Sequence, residues 1–346
     1  MPLSLYLIAF ISAAILTAGL TPLIKKIAIK YNIIDRPTAP RKIHSRPIPL
    51  LGGSAIFLSF LIVVLIFLYF GMLSDNKISS NQIATIILAG LLLIFGGFLD
   101  DKYNLKPIQQ LILPLMAVLL IVASGIKIQY VTNPFGPVLQ FPLITGSILA
   151  FLWILGMVYT TKFLDGLDGL VAGTTVIGSI IIFIVSLYWD NPSSPTSFLA
   201  IILAGAVLGF LPFNWQPAKI FLGEGGSVFC GFMLGVLAIL SGSKIATTLL
   251  IMGIPILDVI WVITRRIWQG KSPVSGDRKH LHFRLLDIGL SHRQSVTLLL
   301  FLSASFGTTS LFLHTRGKMV ALIILSLVMI ILAISLISIY KLKQQK

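Results

Sequence analysis

Residues 51–72 read LGGSAIFLSFLIVVLIFLYFGM, twenty-two positions without one charged side chain. A helix of that length rises about 33 Å, enough to cross a hydrocarbon core of about 30 Å. The run is continuous rather than alternating, as a barrel strand would be, and backbone groups in lipid must be satisfied within their own segment. It therefore reads as a transmembrane helix. Outward from it, similar runs recur at roughly 3–24, 82–99, 108–126, 144–161, 171–189, 198–213, 225–241, 246–264, 295–313 and 318–340. Of the 346 residues 56% are hydrophobic and only 11% charged, against roughly 25% charged in a soluble domain. A soluble enzyme is excluded. The expected fold is an all-α polytopic membrane protein, a bundle of about eleven transmembrane helices forming a single domain over residues 1–346.

The cations set the expected orientation. The first span begins nearly uncharged and is followed by Lys25, Lys26 and Lys30, the reverse of a secretory signal peptide, so it is expected to stay attached with the N-terminus outside. The loops near 25–50, 100–107, 162–170, 214–224 and 265–294 then face the cytoplasm together with the C-terminus. These segments hold 21 lysines and arginines, whereas the outer side holds only Lys77, Lys127, Lys244, Arg316 and Lys318. That split follows the positive-inside rule, and the expected location is the plasma membrane, as a multi-pass protein. The net charge of +15 is explained by topology and anionic head groups, with no nucleic acid partner. The lone Cys230 makes no internal disulfide.

Positive-inside topology does not require carboxylates, yet nine of the eleven gather on the inner side, leaving only Asp75 and Asp190 outside. Acids next to a bilayer are expensive and normally functional. Asp100 and Asp101 are adjacent near a helix C-terminus, where mutual repulsion and the helix dipole call for a compensating cation. In Lys162-Phe-Leu-Asp165-Gly-Leu-Asp168-Gly-Leu170 the two acids share a face if the segment is helical, and the glycines allow close backbone approach to a ligand. In Phe221-Leu-Gly-Glu224-Gly225-Gly226-Ser227, successive N–H groups at a helix N-terminus form an anion site, with Glu224 suited to a cation that bridges to phosphate. Two basic segments complete the inner face: Arg41 to Gly53, containing Lys42 and His44, and Gly276 to Leu285, containing His280, His282 and Arg284. Basic neighbours should keep His280 and His282 neutral until an anion arrives. Zinc is a poorer reading of that pair than phosphate, because no cysteine accompanies it.

In this order and between these spans, Asp100-Asp101, Asp165-Gly-Leu-Asp168-Gly-Leu, Phe221-Leu-Gly-Glu224-Gly-Gly-Ser and His280-Leu-His282 resemble the polyprenyl-phosphate N-acetylhexosamine-1-phosphate transferases, glycosyltransferase family 4. The resemblance covers nearly the whole chain. It implies an integral membrane enzyme that uses magnesium, or manganese in its place, to move a sugar 1-phosphate from a UDP-sugar to a polyprenyl phosphate, releasing UMP. Eleven spans and the His-Leu-His form favour the undecaprenyl-phosphate N-acetylglucosamine-1-phosphate branch over the UDP-muramoyl-peptide branch. Where the family usually has asparagine three residues before Asp165, this chain has Lys162; either the metal site rearranges or Lys162 contacts a phosphate directly. Glu224 replaces the usual aspartate, Asn104 the third acid after Asp100-Asp101, Phe283 a third histidine, and Leu50 an arginine common before Leu-Gly-Gly.

The resemblance places Glu224 and Asp165 at the metal, with Asp165 also catalytic, and Asp100 or Asp101 deprotonating or orienting the lipid phosphate. Lys42, His44, Asp168, Gly225, Gly226, Ser227 and Arg284 bind the substrate, Lys162 stands in for a metal contact or binds phosphate, and His280 and His282 hold the diphosphate. Both one-step transfer and a phospho-aspartate route agree with these residues. Gly253 and Pro255 are expected to bend span nine and admit the lipid tail there. A homodimer would have its interface among apolar spans that look alike. The rival class is a secondary transporter, which should carry acids near mid-membrane and an internal repeat; here only Asp258 lies inside a span.

Overall fold

A computed structural model describes residues 3–37, 44–73, 78–189, 194–242, 244–270 and 280–344. The chain folds as α1 (Leu3–Lys30), α2 (Gly52–Tyr69), α3 (Ser80–Tyr103), α4 (Pro107–Ala123), α5 (Leu143–Leu164), α6 (Leu170–Trp189), α7 (Pro195–Asn214), α8 (Gly223–Leu240), α9 (Ile245–Trp268), α10 (Leu281–Asp287), α11 (His292–Phe312) and α12 (Thr315–Gln344). Two minimal antiparallel pairs join them: β1 (Ile34–Asp35) with β2 (Ile48–Pro49), and β3 (Tyr130–Val131) with β4 (Leu139–Gln140). Every expected span coincides with a helix. Among the described residues, ten helices are long and apolar enough to cross a membrane. The eleventh, α4, has seventeen residues and is about 26 Å long, slightly short of the hydrocarbon core.

The differences lie at the ends. Helix α3 runs past the apolar stretch, so Asp100 and Asp101 stand in its last turn instead of in a loop, and Asn104 closes it in the left-handed region (φ 51°). Its start is a capping box, Ser79 with Gln82; α11 begins the same way, Ser291 with Gln294. Helix α10 carries the His-Leu-His segment, and no apolar run announces it. Buried hydroxyls such as Thr17, Ser59, Thr174 and Thr175 bond back to the carbonyl four residues earlier, which satisfies them within their own helices.

Helix α8 is the centre of the bundle, with all but a few of its residues buried. Glycines let its neighbours come this close. A Cβ on Gly97 of α3 would fall on the Gly225 backbone, one on Gly53 of α2 would fall on Gly226, and one on Gly231 would meet Thr161 and Met157 of α5. The starts of α2 and α8 are also tied together. Gly52 N–H donates to the Phe221 carbonyl (2.9 Å), Gly53 N–H to the Leu222 carbonyl (2.7 Å), and Phe221 N–H to the Pro49 carbonyl (2.8 Å). Leu51 takes φ 77° to make this possible, a conformation that costs a non-glycine residue about 1 kcal/mol or more. The first N–H groups of α2, which no helix can satisfy internally, thereby find partners in the residues just before α8.

A Gly97→Ala substitution should separate α3 from α8 and cost about 1–3 kcal/mol as overpacking. Gly156, on α5, has no atom within 4 Å of its Cβ position, so Gly156→Ala should leave stability equal or higher. Thermal melts of the two variants in detergent check this pair.

Candidate active site

Three helix ends meet beside the start of α8. The Asp101 Oδ1 accepts the Glu224 backbone N–H at 3.1 Å, across 123 residues of sequence. The helix N-terminus does hold an anion, and that anion is the chain's own carboxylate. Asp100 Oδ1 accepts from Leu105 N–H and from Gln110 Nε2, both at 2.9 Å. From α5, Lys162 Nζ reaches Glu224 Oε1 at 2.5 Å and Gln110 Oε1 at 2.8 Å, with its ammonium 5.9 Å from the centre of the Tyr159 ring. Asp165 ends α5, open to solvent and within electrostatic reach of Glu224 and Asp168. Asp100, Gln110 and Glu224 line one cleft between α3, α4 and α8, whose other walls include Leu93, Leu113 and Val228.

The segment between α5 and α6 is a turn, so Asp165 and Asp168 do not share a helix face. Gly169 takes φ 80°, which a side chain would oppose. Asp168 Oδ2 accepts from Ala218 N–H at 3.0 Å, while its own N–H donates to His292 Nε2 at 2.8 Å. Asn214 accepts from Gly169 N–H and donates to the Ile220 carbonyl. This aspartate thus ties the turn to the loop before α8 and to α11. The glycines here and in α8 serve packing: a Cβ on Gly166 would strike the His282 ring, and Gly225 and Gly226 are buried against α3 and α2. The Ser227 hydroxyl donates to the Glu224 carbonyl within its own helix.

On the α9 side, His280 Nδ1 lies 2.8 Å from Asp258 Oδ2, and Leu281 N–H donates to Asp258 Oδ1 at 2.9 Å. The one acid inside a span therefore anchors α10. His280 stacks between Phe163 and His282, the two histidine rings lying 5.6 Å apart and nearly parallel. His282 is buried, and its Nε2 has no hydrogen-bond partner. Burial lowers its pKa to about 3, Asp258 working against this shift and His280 and His292 adding to it. Neutral imidazole is as expected, but burial is the main cause and the basic neighbours a lesser one. His44 packs edge-on against Phe221 and bonds Asp35 Oδ2 at 2.9 Å. Arg284 sits in the last turn of α10. Lys42 lies outside the described residues.

Asp258, Asn214, His292 and Gln110 are the functional neighbours that sequence reasoning left unassigned. Asp258 and the Gln109-Gln110 pair were visible as polar breaks in apolar runs; Asn214 and His292 gave no signal. Among the described residues, no three histidine, cysteine or acidic side chains are arranged to hold a metal by themselves. The donors at Glu224 and Asp165 are hard carboxylate oxygens, Glu224 also pairing with the Lys162 ammonium. That suits magnesium, which takes one or two carboxylates and fills its remaining positions with water and substrate phosphate. The stacked histidines do not form a zinc cage.

Residues 83–242 match the model of glycosyl transferase family 4. The chain is 32% identical over 340 residues to the probable undecaprenyl-phosphate N-acetylglucosaminyl 1-phosphate transferase of Bacillus subtilis, covering 94% of this chain and 90% of that one. It is 31% identical over 336 residues to the decaprenyl-phosphate N-acetylglucosaminephosphotransferase of Mycolicibacterium smegmatis, covering 89% and 82%. It is 28% identical over 319 residues to the undecaprenyl-phosphate alpha-N-acetylglucosaminyl 1-phosphate transferase of Salmonella typhi, covering 87% and 83%.

The unfolded chain protonates His282 near its ordinary value of 6.5, whereas the folded chain resists until about 3. Folding stability should therefore fall as pH drops from 6.5 toward 3, by up to about 1.4 kcal/mol per pH unit from this group. Denaturation of the protein and of His282→Gln across that range checks this: the variant should show a shallower acid slope.

Proposed function

Because the chain belongs to glycosyl transferase family 4, we propose that it transfers N-acetylglucosamine 1-phosphate from a UDP-sugar to a polyprenyl phosphate, releasing UMP, at the cytoplasmic face of the plasma membrane. The chain is a multi-pass membrane enzyme, a phosphotransferase. The observation that carries the reading is the meeting of Asp100, Asp101, Asp165 and Glu224 with Lys162 at the start of α8. The relatives matched along nearly the whole chain act with N-acetylglucosamine, which favours that sugar over the muramoyl peptide. Family membership replaces the transporter reading.

A phosphate oxygen of the polyprenyl phosphate attacks the β-phosphorus of the UDP-sugar; a P–O bond forms to the lipid phosphate, and the bond to UMP breaks. Both reactants are anions, so repulsion is the obstacle. Lys162 supplies a fixed ammonium to the phosphates. Asp100, held through Oδ1 alone, has its second oxygen for orienting the lipid phosphate, while Asp101 is engaged in capping α8 and keeps Glu224 in place. Glu224 and Asp165 would hold a magnesium ion, which when bound neutralises charge on the diphosphate. His280, held by Asp258 and stacked on Phe163, and His282 beside it would line the diphosphate, with the buried His282 neutral and so adding no charge. The split of cations between the two sides favours a cytoplasmic site.

The test is UMP release by the purified protein from UDP-N-acetylglucosamine and undecaprenyl phosphate, with and without magnesium. Magnesium-dependent release that falls by about 100-fold or more in Asp165→Asn is expected, by analogy with the loss of a group that stabilises transition-state charge. Absence of release with every UDP-N-acetylhexosamine and divalent ion offered would overturn the reading.

A further inference from the structure

Gln110 has no role in the reaction above, yet it links the two acidic halves of the site. Its Nε2 donates to Asp100 Oδ1 at 2.9 Å and to the Leu105 carbonyl at 3.0 Å. Two acceptors on that side leave Oε1 facing the other way, where it accepts from Lys162 Nζ at 2.8 Å. The reversed amide would set NH2 against an ammonium and a carbonyl against two acceptors, so the network admits one orientation. Lysine carries a compact charge on a flexible stem with no direction of its own. Here the charge is held at one point by an acceptor on α4 and by Glu224 on α8. These bonds use two of the three ammonium N–H groups, leaving one for an incoming phosphate oxygen.

Resting on the transferase reading, we propose that Gln110 is a positioning residue, acting through Lys162 to aim its ammonium at the diphosphate of the sugar nucleotide, with Asp100 keeping the amide in register. Asp100 then has a second use, since it orients the residue that orients the lysine. Asp100, Gln110 and Glu224, the residues that fix this network, also line one small cleft between α3, α4 and α8.

A double-mutant cycle separates this from a packing role. UDP binding to the full-length protein in detergent, with divalent ions chelated, is measured for wild type, Gln110→Met, Lys162→Met and the double variant. Gln110→Met nearly preserves volume, and Gln110→Ala enters the same cycle if that variant does not fold. Gln110→Met should weaken UDP about 3- to 10-fold in the wild-type background, the range expected for one oriented hydrogen bond, and less than about 2-fold in the Lys162→Met background. Equal losses in both backgrounds, no loss in the wild type, an unchanged affinity in Lys162→Met, or UDP binding too weak to detect without divalent ions would each overturn the proposal. Its failure is distinct from failure of the transferase reading. Loss of coupling in a chain that still releases UMP touches Gln110 alone, whereas coupling in a chain that releases none touches the reaction.

Discussion

The close approach of α2, α3 and α5 to α8 is the constraint on which the rest of the site depends. In lipid the hydrophobic effect offers little reason for helices to associate, and small residues that let backbones meet supply the packing instead. Gly53, Gly97, Gly225, Gly226 and Gly231 do this here, on the faces where any side chain would strike backbone. The contact lies at the helix ends, so it also brings together what the ends carry. Asp101 arrives within hydrogen-bonding distance of the α8 N-terminus, and Lys162 arrives at Glu224. A wider spacing would leave these groups on separate helix ends.

Charge then organises what packing has assembled. Five carboxyl groups gather near one ammonium, where interactions between partly buried charges exceed those in water. Two of the acids are committed to structure, Asp101 to the α8 N-terminus and Asp168 to the loop before α8. Glu224 and Asp165 remain for a hard cation, and Asp100 sits between structure and substrate. The departures of this chain from its family's pattern, lysine at 162 and glutamate at 224, turn out to be a contacting pair. Glutamate's extra methylene lengthens the reach of that carboxylate toward the lysine on α5.

The spans were legible because continuous apolar runs follow from the solvent, and the acid clusters because carboxylates beside a bilayer stand out against an apolar background. What the motif glycines do was not legible. Near Asp165 and Glu224 they read as room for a ligand, and they proved to be room for other helices and for the His282 ring. Asp258, Asp168 and Gln110 each find a partner 22 to 124 residues away along the chain, and no local pattern encodes a contact of that separation. The turn from Asp165 to Gly169 was open to a helical reading until Gly169 took a left-handed conformation. Helix α10 is too short to leave a period of its own, and its anchor is an aspartate on another helix.

The Lys162 to Glu224 contact is the point at which α5 and α8 bring the two unusual residues together. Dipolar recoupling between lysine 15Nζ and glutamate 13Cδ, in selectively labelled protein reconstituted in bilayers, measures it without reference to activity. A strong cross-peak that disappears in Lys162→Gln is the predicted result. A spectrum with no lysine to glutamate correlation, in a chain that is folded, would contradict the arrangement of the site.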